Sequence, residues 1–133
     1  MTKAVLDANV IISSIFWRGK PYQLMRRGIE GKCTFVISMP IIDEVTSKLR
    51  TKFHLPEDKI EMLVDILLAF STTVEPKAKL NAVKADASDN KIIECAVEGN
   101  AEYIVSGDVH LREMREYEGI KIVTPSRMLE ILK

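Results

Sequence analysis

DASDNKIIECAVEGNAEYIVSGD, residues 86–108, decides how this chain is read, because carboxylates stand at both ends of an apolar helix-strand unit. A helix starting at Ser88 or Asp89 places Ile92, Ile93, Ala96 and Val97 on one stripe that must face a core. Asp89, in the first turn, lies on that same stripe. A charge on the buried face of a helix is costly unless it sits at the rim of the core beside a partner, such as the helix N-terminus or a cation. Gly99-Asn100 is a left-handed stop signal. Tyr103-Ile104-Val105 then reads as a buried strand that runs into Ser106-Gly107-Asp108. In an open parallel sheet, strand C-termini and helix N-termini share one edge, so Asp89 and Asp108 are expected at a single crevice.

The rest of the chain repeats this grammar. Lys3-Ala4-Val5-Leu6 is an apolar strand that closes in Asp7-Ala8-Asn9, another acid at a strand end. A short buried helix follows, then the basic loop Arg18-Gly19-Lys20-Pro21 and a Pro-started, Gly-stopped helix to Gly31. Thr34 to Ser38 is a β-branched second strand, and Pro40 opens a helix with Ile41, Ile42, Val45 and Leu49 as its stripe. Glu44 borders that stripe, whereas Asp43 points further away. Pro56-Glu57-Asp58 starts a packing helix carrying Ile60, Leu63, Val64, Leu67 and Leu68. Thr72 to Glu75 is a weak third strand, and the lysine-containing connector from Pro76 to Ala85 leads back to Asp86. After Asp108 come a short helix, a fifth strand (Ile120 to Val123) and a final helix from Pro125.

Composition bounds what such a chain can be. Its 133 residues, 47% of them hydrophobic, suffice for one well-buried domain and are too few for two, so a single domain over 1–133 is expected. Lys plus Arg and Asp plus Glu each number 19, so no global basic field attracts a polyanion, which must be met by a local patch or through metal ions. Cys33 and Cys95 lie in apolar runs without CxxC spacing, which reads as buried reduced thiols of a cytoplasmic protein. No apolar stretch approaches the ~20 residues of a membrane span, and no signal-peptide h-region opens the chain, so no membrane partner is expected.

Strands alternating with helices predict an α/β protein, a three-layer α/β/α sandwich on a parallel central sheet of order 3-2-1-4-5. The winding then reverses between strands 1 and 4, where ligands bind beyond the strand C-termini. Those two strands end in Asp7 and Asp108.

Asp7 and Asp108 from strand ends, and Glu44 and Asp89 from helix starts, would put like charges in one crevice unless cations neutralise them. An all-carboxylate set suits hard Mg²⁺ or Mn²⁺, which hold phosphate oxygens and activate water. Hydrolysis of a nucleic-acid backbone is the reaction class this implies. Each residue also has an ordinary reading. Asp89 serves as a helix-dipole acid, Glu44 as a solvated helix residue, Asn9 as an Asx-turn or helix cap, and His110 as a surface histidine. Arg18 and Lys20 are candidates for phosphate-backbone contact or simply a solvated loop. A haloacid-dehalogenase-type phosphotransferase has a second acid two residues after the first, where this chain has Asn9. A receiver-domain switch needs a phosphoacceptor Asp after a middle strand, which neither Ile37-Ser38 nor Val74-Glu75 supplies.

V-L-D-A-N at Asp7, a helix-borne E-V at Glu44, D-x-x-D-N-K-I-I-E-C-A at Asp86, Asp89 and Asn90, and Y-I-V-S-G-D at Ser106 and Asp108 occur in this order over essentially the whole chain. The set resembles the PIN domain of metal-dependent ribonucleases, including VapC-like toxins of toxin-antitoxin pairs. That resemblance implies that Asp7, Glu44, Asp89 and Asp108 are the acidic quartet for Mg²⁺ or Mn²⁺, with Ser106, Asn90 and Asn9 supporting it and Asp86 flanking it. It further implies an RNA substrate, a protein antitoxin and a homodimer. A non-catalytic RNA-binding or regulatory protein of the same fold is the alternative.

Overall fold

A computed structural model of the chain describes residues 1–77, 79 and 87–133. Strand β1 (Lys3–Leu6) leads into helices α1 (Ala8–Phe16) and α2 (Lys20–Ile29), and β2 (Thr34–Ser38) into α3 (Met39–Thr51) and α4 (Glu57–Ala69). Beyond β3 (Ser71–Val74) come α5 (Ala87–Glu98), β4 (Tyr103–Val105), α6 (Val109–Met114), β5 (Glu116–Tyr117), β6 (Ile120–Val123) and α7 (Pro125–Ile131). The sheet runs β3-β2-β1-β4-β6-β5. Its five parallel strands keep the order expected from the alternation of elements. The addition is β5, a two-residue edge strand antiparallel to β6, closed by positive φ at Glu118 (48°) and Gly119 (86°). A segment so short carries no readable period, which is why the sequence does not announce it.

The fully buried strands make the core. Ala4, Val5, Ile104 and Val105 are 0% exposed, as a central parallel sheet covered on both faces requires. On α5 the buried residues Ile92, Ile93, Cys95 and Ala96 pack over β1, β2 and β4, so the apolar stripe faces the sheet as its spacing requires. Helix α4 packs through most of its expected stripe, with Leu63 and Val64 partly buried against the core. Ile60 and Leu67 are buried, but Leu68 joins Met62 and Ile66 among the exposed large hydrophobics. Glu57, Glu61 and Asp65 form an exposed acidic stripe on this helix, and α3 and β3 cover its apolar side.

Two glycines allow close packing of helices on strands. A Cβ on Gly28 of α2 would lie 2.1 Å from Phe35 Cε2, and one on Gly99 would lie 2.4 Å from Val36 Cγ1. Gly28→Ala gains up to ~1 kcal/mol of helix propensity. Overpacking against a ring that is itself buried costs about 1–3 kcal/mol. The substitution is therefore expected to destabilise, read as a lower urea midpoint at unchanged slope; a stabilised variant would show that Phe35 has room to turn.

Candidate active site

Register explains the first contact of the site. β1 and β4 pair with Leu6 opposite Val105, so the next residues, Asp7 and Ser106, leave the sheet side by side. The Ser106 hydroxyl donates to Asp7 Oδ2, and the Asp7 amide donates to the Val105 carbonyl at 3.1 Å. Asp7 is also the N-cap of α1, its Oδ1 accepting from the Val10 amide at 2.8 Å. The cap is thus Asp7 and not Asn9, which lies one residue inside the helix. Both residue types cap well, and the extended backbone at Asp7 (φ −72°, ψ 165°) decides between them.

Asp108 is built the same way. It caps α6, with Oδ1 accepting from the amides of His110 at 2.9 Å and Leu111 at 3.2 Å, while its own amide donates to Ser106 Oγ at 2.9 Å. Ser106, fully buried, therefore ties the two strand-end acids together with one hydroxyl. Glu44 stands in the second turn of α3 and Asp89 in the first turn of α5. Together with Ala8, Asn9, Lys48 and Ile92, these four acids line one cleft of about 70 Å³ between β1 and β4, where the winding reverses. A larger concavity of about 540 Å³, lined by Asn100, Glu102, Tyr103, Glu118 and Lys121 among others, opens at the other sheet edge, where strands begin.

The remaining expected residues fall elsewhere. Asn90 is buried beside Asp89 on α5, outside the cleft lining. Asp86 lies outside the described residues. Arg18 follows α1 and Lys20 opens α2, and neither lines the cleft; the Arg18 guanidinium sits 5.4 Å from the centre of the Tyr22 ring. His110 is exposed and contributes its backbone amide to the Asp108 cap.

The residue that sequence reasoning passed over is Lys48. Its Nζ lies 3.4 Å from Glu44 Oε2 and 3.0 Å from Asn9 Oδ1. The one signal available was its i+4 spacing from Glu44, a common surface pairing that says nothing of a cleft.

The electrostatics follow from burial. Asp7 is 6% exposed, and its pKa is raised first by that burial, then by the neighbouring charges of Asp108 and Glu44, against the lowering hydrogen bonds from Ser106 and Val10. Its neighbours therefore act on it as like charges in a poorly solvated site. The donors are hard oxygens, and a carboxylate offers about four lone-pair sites, so Asp7 keeps acceptor capacity beyond its two hydrogen bonds. By charge and donor type this set fits Mg²⁺ or Mn²⁺. Among the described residues, however, no three His, Cys, Asp or Glu side chains stand close enough together to ligate an ion. Thiol chemistry has no place here: burial pushes both Cys33 and Cys95 up to about 11, far from a neutral-pH thiolate.

The architecture is an α/β/α sandwich with strand-end acids lining the cleft at its switch point. The chain belongs to the PIN domain family, whose model matches residues 3–110. Among solved structures it is similar to VapBC2 from Rickettsia felis bound to a DNA fragment from their promoter, at 15% identity and a TM-score of 0.66, covering 91% of this chain and 97% of that one. It is likewise similar to FitAcB from Neisseria gonorrhoeae, at 15% identity and a TM-score of 0.57, covering 92% and 98%. At this identity the likeness is one of fold. No curated protein matches the sequence significantly.

Proposed function

We propose that this chain is a Mg²⁺- or Mn²⁺-dependent endoribonuclease, a single catalytic domain acting as the toxin of a toxin-antitoxin pair. The observation that carries the reading is the convergence of Asp7, Glu44, Asp89 and Asp108 on one cleft at the switch point. Family membership supports it. In this reading the four acids hold the ion, which when bound supplies Lewis acidity toward phosphate oxygens.

The chain's own residues do the positioning. Ser106 fixes the carboxylate of Asp7 and the backbone of Asp108 in one arrangement, so neither acid has to search for its place when substrate arrives. The caps of α1 and α6 hold the same two acids to rigid elements. Asn9 and Lys48 line the same cleft, joined by a hydrogen bond. With a net charge of zero, the protein has to draw in RNA through the loaded cleft and through local cations such as Arg18 and Lys20.

A protein antitoxin is the expected partner, supported by the likeness of fold to the VapBC2 complex. A homodimer is expected from the exposed apolar residues Trp17, Met62, Ile66 and Phe70. Action in the cytoplasm agrees with two free buried cysteines. Among the described residues no helix is long and apolar enough to cross a membrane.

The deciding experiment is cleavage of single-stranded RNA by the purified chain with Mn²⁺, with Mg²⁺ and with excess EDTA. Cleavage is expected with either ion and its loss on chelation. Undiminished cleavage in EDTA would remove the metal from the mechanism, and RNA binding without cleavage under every condition would favour a regulatory protein of this fold.

A further inference from the structure

Among the described residues, Lys48 is the one basic residue lining the cleft, beside the acids Asp7, Glu44, Asp89 and Asp108. Glu44 precedes it by one turn of α3, the favourable order for an i,i+4 ion pair. Two features set this pair apart from an ordinary surface one. The side chains of Lys48 and Glu44 are only 27% and 21% exposed, so solvent screens them less than it screens the Arg26–Glu30 pair at 61% and 43%. The ammonium also reaches a second helix, where Asn9 of α1 accepts its proton at 3.0 Å. It therefore bridges α1 and α3 across the mouth of the cleft.

We infer that Lys48 is a positioning residue, the resident cation of the metal-free cleft, which holds Glu44 until a divalent ion displaces it. This rests on the metal-dependent reading above. An ammonium and a divalent ion compete for the same carboxylate, because each is stabilised by the charge the other would neutralise. In the metal-free protein Lys48 relieves part of the repulsion among Glu44, Asp7, Asp89 and Asp108, and so keeps Glu44 ordered and pointed into the site. When an ion enters, Glu44 has to exchange one cation for another. Lys48 thus weakens divalent binding while stabilising the unloaded fold. A purely structural lysine would do only the second.

Calorimetric titration of Mn²⁺ into the metal-free chain separates the cases. Lys48→Met, which keeps the length and loses the charge, is expected to bind Mn²⁺ about tenfold more tightly than wild type, the equivalent of ~1.4 kcal/mol. It is also expected to melt lower in EDTA. Lys48→Arg, which keeps the charge, should restore affinity to the wild-type value or below. Should Lys48→Met not fold, Lys48→Gln carries the same expectation, since its amide can keep a hydrogen bond to Asn9. Wild type that binds Mn²⁺, beside a neutral variant that binds no tighter, would overturn the role of Lys48 and leave the metal site standing. Wild type that binds no Mn²⁺ at all would overturn both.

Discussion

Asp7→Asn is expected to lower metal-dependent RNA cleavage by more than about 100-fold, beyond the 10–100-fold typical of groups that only support a ligand. Asp7 is the most buried of the four cleft acids and the one on which the neighbouring charges of Asp108 and Glu44 act. Asparagine nearly preserves its shape and its capping ability, so the loss reports the missing charge rather than a broken helix start.

The same substitution has a second, opposite effect on the metal-free protein. Burial raises the pKa of Asp7 in the folded state above its unfolded value, so the native state binds the proton more readily. The ionised form therefore costs stability at neutral pH. That cost is relieved as pH falls through the folded pKa towards the unfolded value, and no further change comes from Asp7 below it. Asp7→Asn removes the cost outright and should stabilise the metal-free chain by about 1 kcal/mol at neutral pH, the usual trade at a strained functional site. Glu57, held low by its exposed Arg50 partner, shifts in the opposite direction, but it is common to both proteins and cancels in the difference. Urea titrations in EDTA from neutral pH down to about pH 4 should show the two stabilities converging. A gap that is constant with pH would mean that Asp7 does not titrate as its surroundings dictate.

Mn²⁺ at about 100 times its dissociation constant should stabilise the wild-type chain by ~2.7 kcal/mol, because it binds the folded state alone. For a chain of this size that is a rise of roughly 10 °C in melting temperature. Asp89→Asn should lose most of the rise together with cleavage, and should leave the metal-free melting temperature unchanged or higher. Asp89 lies in the first turn of α5 and on the cleft wall. As a helix-dipole acid only, it would contribute about 0.3–1 kcal/mol whether or not metal is present. Differential scanning with and without Mn²⁺ tells these roles apart: a metal-induced rise that survives Asp89→Asn intact would remove Asp89 from the site.

The strand-end acids were legible because each interrupts an apolar run at the place where a buried strand has to stop. Asp7 after Val5-Leu6 and Asp108 after Ile104-Val105 are local signals, readable within a few residues. So was the stripe of α5, since a helix covering a sheet must repeat its apolar residues with helical spacing. Strand order followed from the alternation of elements and the handedness of crossovers, which leave few ways to build a parallel sheet. Local pattern failed where it was degenerate. Asp7 and Asn9 are both good caps, so composition could not choose which residue begins α1.

What spacing along the chain determined, then, was which segments are strands and helices, the order of the parallel strands, and that acids gather at one edge. Only the tertiary structure decided how those acids are held. Ser106 meets Asp7 across 99 residues because the register of β1 on β4 sets them side by side, and Lys48 meets Asn9 across 39 because α3 crosses α1 at the cleft. Neither meeting has a local signature. Burial writes itself into sequence as a period, whereas a single polar contact between distant elements depends on the relative placement of two whole elements, which is fixed by the packing of every other residue on them.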